Sequence, residues 1–113
     1  MHPDWLIPDW PAPANVRAFM TTRAGGVSRP PWDSMNPASH VEDDPDSVAE
    51  NRRILRADLP AEPLWLNQVH GTCVADTPAT ESPCADASLA REPGRVCAVL
   101  TADCLPVLFC DRA

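Results

Sequence analysis

Fourteen of the 113 residues are proline, about 12% against a usual ~5%. Each proline fixes φ and removes a backbone donor, so regular structure is interrupted wherever one falls. Proline and glycine together make 18 residues, about 16% and short of the ~25–30% of a low-complexity chain. The sequence therefore reads as a globular piece with long, stiff connections. Its core formers are scarce: Leu, Ile, Val and Phe total 22, about 19%, near the level below which high net charge suggests disorder. At 113 residues it holds at most one domain, with little apolar material for its length.

Nine arginines and no lysine stand against 16 acidic residues, a net charge of −7. An acidic chain without a basic run is a poor match for nucleic acid or an anionic membrane, both of which depend on clustered cations. The start MHPDWLIPDWP has no basic residue besides His2 and is broken by prolines, unlike a signal peptide or a membrane span. Five cysteines, an odd number without a CxxC spacing, fit free thiols in a reducing compartment. The expectation is a cytoplasmic protein.

Residues 1–15 form a Pro- and Trp-rich arm whose Trp5 and Trp10 are expected to dock, and residues 16–113 form the domain proper. The alternation in VRAFMTTR predicts a strand from Val16, ended by a turn at Gly25-Gly26 where φ > 0 is tolerated. The loop from Ser28 to Val41 is long enough to be functional or disordered rather than a plain connector. Asp44 as N-cap, Pro45 at the first helical position and arginines at the far end predict a helix over Pro45–Ala57. Its narrow inward face is Val48 and Leu55, widened by Ile54, and its Arg cluster is expected to be mostly solvated. Leu64–Val74 reads as a strand that turns polar midway. Val96–Leu100 and Leu105–Cys110 lack alternation, as expected of strands covered on both faces. One helix and this much Pro-rich loop cannot supply the covering layers.

Reactive side chains concentrate beside the predicted strands at two places: His70 in WLNQVHGT, and Asp103-Cys104 in VLTADCLPVLF. Gly71 allows a bulge or close approach after His70, and Pro106 keeps Leu105 extended, so the peptide around Cys104 is held stiffly. An imidazole and a thiolate are good zinc ligands. The plainer alternative is a small buried Cys104 and a hydrogen-bonded strand histidine.

The segments FMTTRAGGVS, SMNPASHVEDDPDSVAENRRIL, WLNQVHGT, ADA and AVLTADCLPVLF, in this order from Phe19 to Phe109, resemble the bacterial multicopper polyphenol oxidoreductase (laccase)-like family. That family also goes under the names of peptidoglycan editing factor and purine nucleoside phosphorylase. The resemblance implies an α/β fold, a mixed β-sheet with flanking helices, incomplete here because the chain resembles the N-terminal half of a family domain. It implies one zinc held by the His of QVHG and the Cys of TADCLP, which map to His70 and Cys104. A second His, from an AHAGWRG-like segment, has no counterpart in these residues. At Asn36-Pro37-Ala38-Ser39-His40 the chain departs from the family's Asn-Leu-Gly-x-His pattern while keeping its polar ends.

The activity so implied is phosphorolysis of adenosine and inosine with phosphate, with adenosine deamination beside it, weakened or lost in this shorter chain. In that reading Arg23 and the Gly25-Gly26 amides are a candidate phosphate cradle, Asn36 and His40 line the nucleoside pocket, Gln68 contacts the purine and Asp103 orients water or an amide. The bland alternatives are a strand-end ion pair, a turn former, a loop hydrogen bond, a strand scaffold and a backbone cap respectively. Small-molecule nucleoside and phosphate are the expected partners. A copper oxidase is the weakest reading, since three histidines without a His-X-His pair are too few for several copper ions. A Cys-His hydrolase with Cys104 as nucleophile, acting in peptidoglycan editing, is a second class. A fragment acting only as an interaction module is a third.

Overall fold

Asp44 and the acidic first turn produce the element that the sequence marks best, α1 at Pro45–Arg56. The Asp44 carboxylate accepts the Asp46 N–H at 3.1 Å, satisfying a backbone donor that a helix start leaves open, and also the Ser47 hydroxyl at 3.4 Å. Val48 and Leu55 are buried and Ile54 half-buried, the inward face expected. The arginines divide: Arg53 is exposed and pairs with Glu50 at 2.6 Å, whereas Arg52 is half-buried and donates to the Pro37 carbonyl at 2.8 Å.

The computed structural model describes residues 1–77 and 82–111. It falls into two units, one of Met1–Ile54 with the segment from Val107, the other of Leu55–Pro106. In the first, Trp5 is 5% exposed. Its indole N–H donates to the Ala24 carbonyl at 2.8 Å, and its ring stacks on Phe19 with centroids 5.8 Å apart. The arm thus docks through Trp5, while half-buried Trp10 and exposed Pro11 line a cavity with Leu108, Phe109 and Cys110. The strand expected from Val16 is reduced to one antiparallel bridge, Leu6 with Met20, so the arm itself is its partner. Gly25 takes the expected positive φ, 97°. A Cβ on Gly26 would run into the Ser34 carbonyl oxygen, so only glycine lets these loop segments approach so closely.

In the second unit, β1 (Val74–Asp76) pairs in parallel with β2 (Ala87–Leu89), Ala75 opposite Ser88. Isolated parallel bridges join Leu64 to Cys97 and Asn67 to Cys84, over a small core of Leu66 and Ala85. The predicted strand Leu64–Val74 is therefore realised in pieces, and Val96–Leu100 pairs only at Cys97. Leu105–Cys110 forms no strand, and Leu105 and Phe109 are 88% and 89% exposed. The reason is the shortage already visible in composition: an apolar run becomes a covered strand only where other elements supply both faces. The result is a small mixed α/β fold with one helix and a short sheet among the described residues. None of those residues forms a helix long and apolar enough to cross a membrane.

Candidate functional site

His70 sits in a tight turn with φ 57°, left-handed backbone that histidine visits more readily than most non-glycine residues. The turn aims three consecutive amides at one carboxylate. Asp86 accepts the N–H of Val69 at 3.2 Å, of His70 at 2.9 Å and of Gly71 at 2.8 Å, an anion nest filled by the chain's own side chain. Asp86 is itself anchored: its N–H donates to the Cys73 carbonyl at 3.3 Å, and buried Ala85 before it donates to Asn67 at 3.1 Å. The Gly71 amide foremost, then those of His70 and Val69 and the nearby imidazole, holds the Asp86 carboxyl below its ordinary range against a smaller opposing effect of burial.

Two residues before His70, the Gln68 side chain closes a reciprocal pair with one backbone unit. Its Nε2 donates to the Leu100 carbonyl at 3.0 Å, and the Leu100 N–H donates to its Oε1 at 2.9 Å. Gln68 thereby ties the His70 segment to the segment leading into Asp103 and Cys104. Both of these are exposed in a bend, and all five cysteines are free thiols.

Arg23, Asn36 and His40 belong to the other unit. The Arg23 guanidinium is already engaged, with the Pro31 carbonyl at 2.9 Å and with the Asp33 carbonyl at 2.7 Å and carboxylate at 3.0 Å. The Gly26 amide donates to the Ser34 hydroxyl at 3.2 Å. Asn36 accepts the Ala38 N–H at 3.1 Å and donates to Asp43 at 3.1 Å; His40 is exposed. Behind them lies a polar hub that the sequence reading passed over. Asn51, fully buried on α1, accepts the Val27 N–H at 2.8 Å and donates to the Ser28 hydroxyl at 2.8 Å and the Asn36 carbonyl at 3.0 Å. Ser28 in turn donates to Asp43.

Asp86 was also missed as a site residue, although it stands in the ADA segment. The available signal was Gly71: a tight turn there leaves amides that need an acceptor, but the sequence does not say which acid supplies it. For a metal, His70 and Cys104 offer an exposed imidazole and thiol, the donor chemistry zinc takes. No group of three His, Cys, Asp or Glu side chains suited to a metal forms among the described residues.

These features define a chain with one helix and a short parallel sheet, whose second unit carries that sheet, a nested histidine turn and an exposed cysteine. The family model described as multi-copper polyphenol oxidoreductase laccase matches residues 17–113, and the chain belongs to that family. A Pseudomonas aeruginosa protein named purine nucleoside phosphorylase is 56% identical over 109 residues, covering 96% of this chain and 45% of its own length. The purine nucleoside phosphorylase YfiH of Escherichia coli K12 is 54% identical over 112 residues, with 96% and 46% covered. The crystal structure of a Neisseria meningitidis protein superposes with a TM-score of 0.89 at 48% identity, over 96% of this chain and 46% of that one. The chain spans a little under half the length of these relatives.

Proposed function

We propose that this chain carries part of the site of a zinc-dependent purine nucleoside phosphorylase, with adenosine deamination as a side activity. The observation that supports it is the pair of exposed donors, His70 in its carboxylate-held turn and Cys104 in the bend after Leu100, in a chain over half identical to proteins bearing that name. His70 and Cys104 would hold the zinc together with a histidine that these 113 residues do not provide. When bound, the metal supplies Lewis acidity and lowers the pKa of water toward ~7.

The chain's own residues bind and orient. In phosphorolysis a phosphate oxygen attacks C1′ of the nucleoside, the C1′–N9 bond breaks, and the departing purine takes up a proton as ribose 1-phosphate forms. Arg23 would reach phosphate only by giving up its bonds to the Pro31 and Asp33 carbonyls as well as its Asp33 ion pair, of which the ion pair, at 72% and 51% side-chain exposure, is readily exchanged. Asn36 and His40 would line the nucleoside pocket, and Asp103 would hold a proton or orient the attacking water at C6 in deamination, where ammonia leaves. Gln68 would act on the purine only through a group not already bonded to Leu100. A Cys-His hydrolase acting on peptidoglycan remains the second reading, favoured by the same exposed thiol.

The test is chromatographic separation of adenosine, inosine and adenine after incubation with phosphate. We expect the 113-residue chain alone to be nearly inactive. Continued to its relatives' full length, it should convert adenosine to adenine and ribose 1-phosphate, and Cys104→Ser should abolish this. Turnover retained in Cys104→Ser, or phenol oxidation with copper and no nucleoside cleavage, contradicts the proposal.

A further inference from the structure

Asp86 is chemically ill-suited to being a bystander. A carboxylate in the bend just before β2 would ordinarily face water or a cation, yet this one takes three successive amides from the turn that contains His70, at 3.2, 2.9 and 2.8 Å. That turn holds a histidine at φ 57°, a conformation that costs free energy in a residue with a Cβ and persists only where its surroundings fix it. The surroundings here are few. Val69, His70 and Gly71 are exposed, and the side-chain anchors beside the turn act one and two residues earlier, at Gln68 and Asn67.

We propose that Asp86 is the positioning residue for His70: by filling the nest, it sets the backbone that presents the imidazole as a metal donor. This rests on the zinc reading above. Asp86 does not touch the metal in this account; it acts through the Val69–Gly71 amides. Asn at this position keeps one acceptor oxygen but turns an N–H₂ toward backbone donors, and Ala leaves three donors to water. Both loosen the turn, Ala more.

The experiment is a zinc(II) titration, by competition with a chromophoric chelator, of the 113-residue chain and its His70→Ala, Asp86→Ala and doubly substituted forms, with amide exchange at Val69, His70 and Gly71 followed in parallel. Asp86→Ala should weaken zinc binding about tenfold or more, the usual cost of losing a group that orients a ligand. In the His70→Ala background the same substitution should change nothing further, because the two act as one unit. Amide protection at His70 and Gly71 should fall in Asp86→Ala while helix α1 keeps its own, and Asp86→Asn should be intermediate in both readouts. If Asp86→Ala does not fold, Asp86→Asn carries the same comparison.

Equal losses in both backgrounds overturn the proposal, since they mean Asp86 serves only general structure. A loss in His70→Ala without one in Asp86→Ala overturns the positioning role alone. A His70→Ala chain that binds zinc like the parent overturns the zinc reading, and the positioning role with it.

Discussion

Asn51 and Asp86 each gather loop backbone onto a single polar side chain, in different units and under opposite conditions. Asn51 is 0% exposed and bonds Val27, Ser28 and Asn36 from inside the packing around α1. Asp86 bonds three amides of an exposed turn. When a buried partner is lost, water cannot replace it and the stranded groups bear their full desolvation cost; when an exposed one is lost, water steps in. The same device therefore serves stability in one place and local geometry in the other.

The largest expected break in this comparison is Asn51→Ala. It strands the Val27 N–H and the Asn36 carbonyl, and chemical denaturation should show a loss of about 2–3 kcal/mol. A loss below ~0.5 kcal/mol would mean that the hub is not buried in solution. Asp86→Ala should shift the denaturation midpoint much less than Asn51→Ala while disturbing the His70 turn more. A larger shift from Asp86 than from Asn51 would reverse the assignment.

Acid sharpens the buried side. The Ser28 hydroxyl foremost, then the Asn36 amide and the Asp44 N–H, holds the Asp43 carboxyl below its ordinary 3.8, with burial opposing. A carboxyl lowered in the folded state stabilises fully above its unfolded value, and that contribution is lost as pH falls through the folded value. Midpoints measured from about pH 6 down to about pH 3 should therefore drop on the acid side. Asp43→Asn should flatten that drop. An unchanged slope would separate Asp43 from the hub.

Smallest of all should be Arg23→Ala. Its ion pair with Asp33 is exposed on both sides, and such pairs contribute within about 1 kcal/mol. A thermal melt moved by more would show that the guanidinium braces the Ser28–Val41 loop rather than standing ready to release it.

Helix α1 was legible because its signals are local: cap, first-turn proline, acid at one end and arginine at the other all lie within the segment they specify. The predicted bounds Pro45–Ala57 differ from Pro45–Arg56 by one residue. The strands were not legible in the same way, since VCAVL and LPVLFC read as covered strands only if something covers them, and no local pattern says what does. Asn51 hid among arginines and a glutamate as one more polar helix residue. The donors His70 and Cys104 could be picked out by residue type and by the glycine and proline beside them, whereas Asp86 could not, because its role exists only once the chain has folded back some 15 residues to meet the turn.

The zinc donor pair is tested most directly by titrating zinc(II) into the 113-residue chain and its Cys104→Ser form, with elemental analysis after dialysis. Two protein donors leave half a tetrahedron to water, so the parent should bind zinc weakly and lose it on dialysis. Cys104→Ser should bind at least about tenfold more weakly, a hydroxyl being a far poorer zinc ligand than a thiolate. Equal affinity in the two forms would contradict the account, as would stoichiometric, dialysis-resistant zinc on the parent chain, which would require His40 or another cysteine as a ligand.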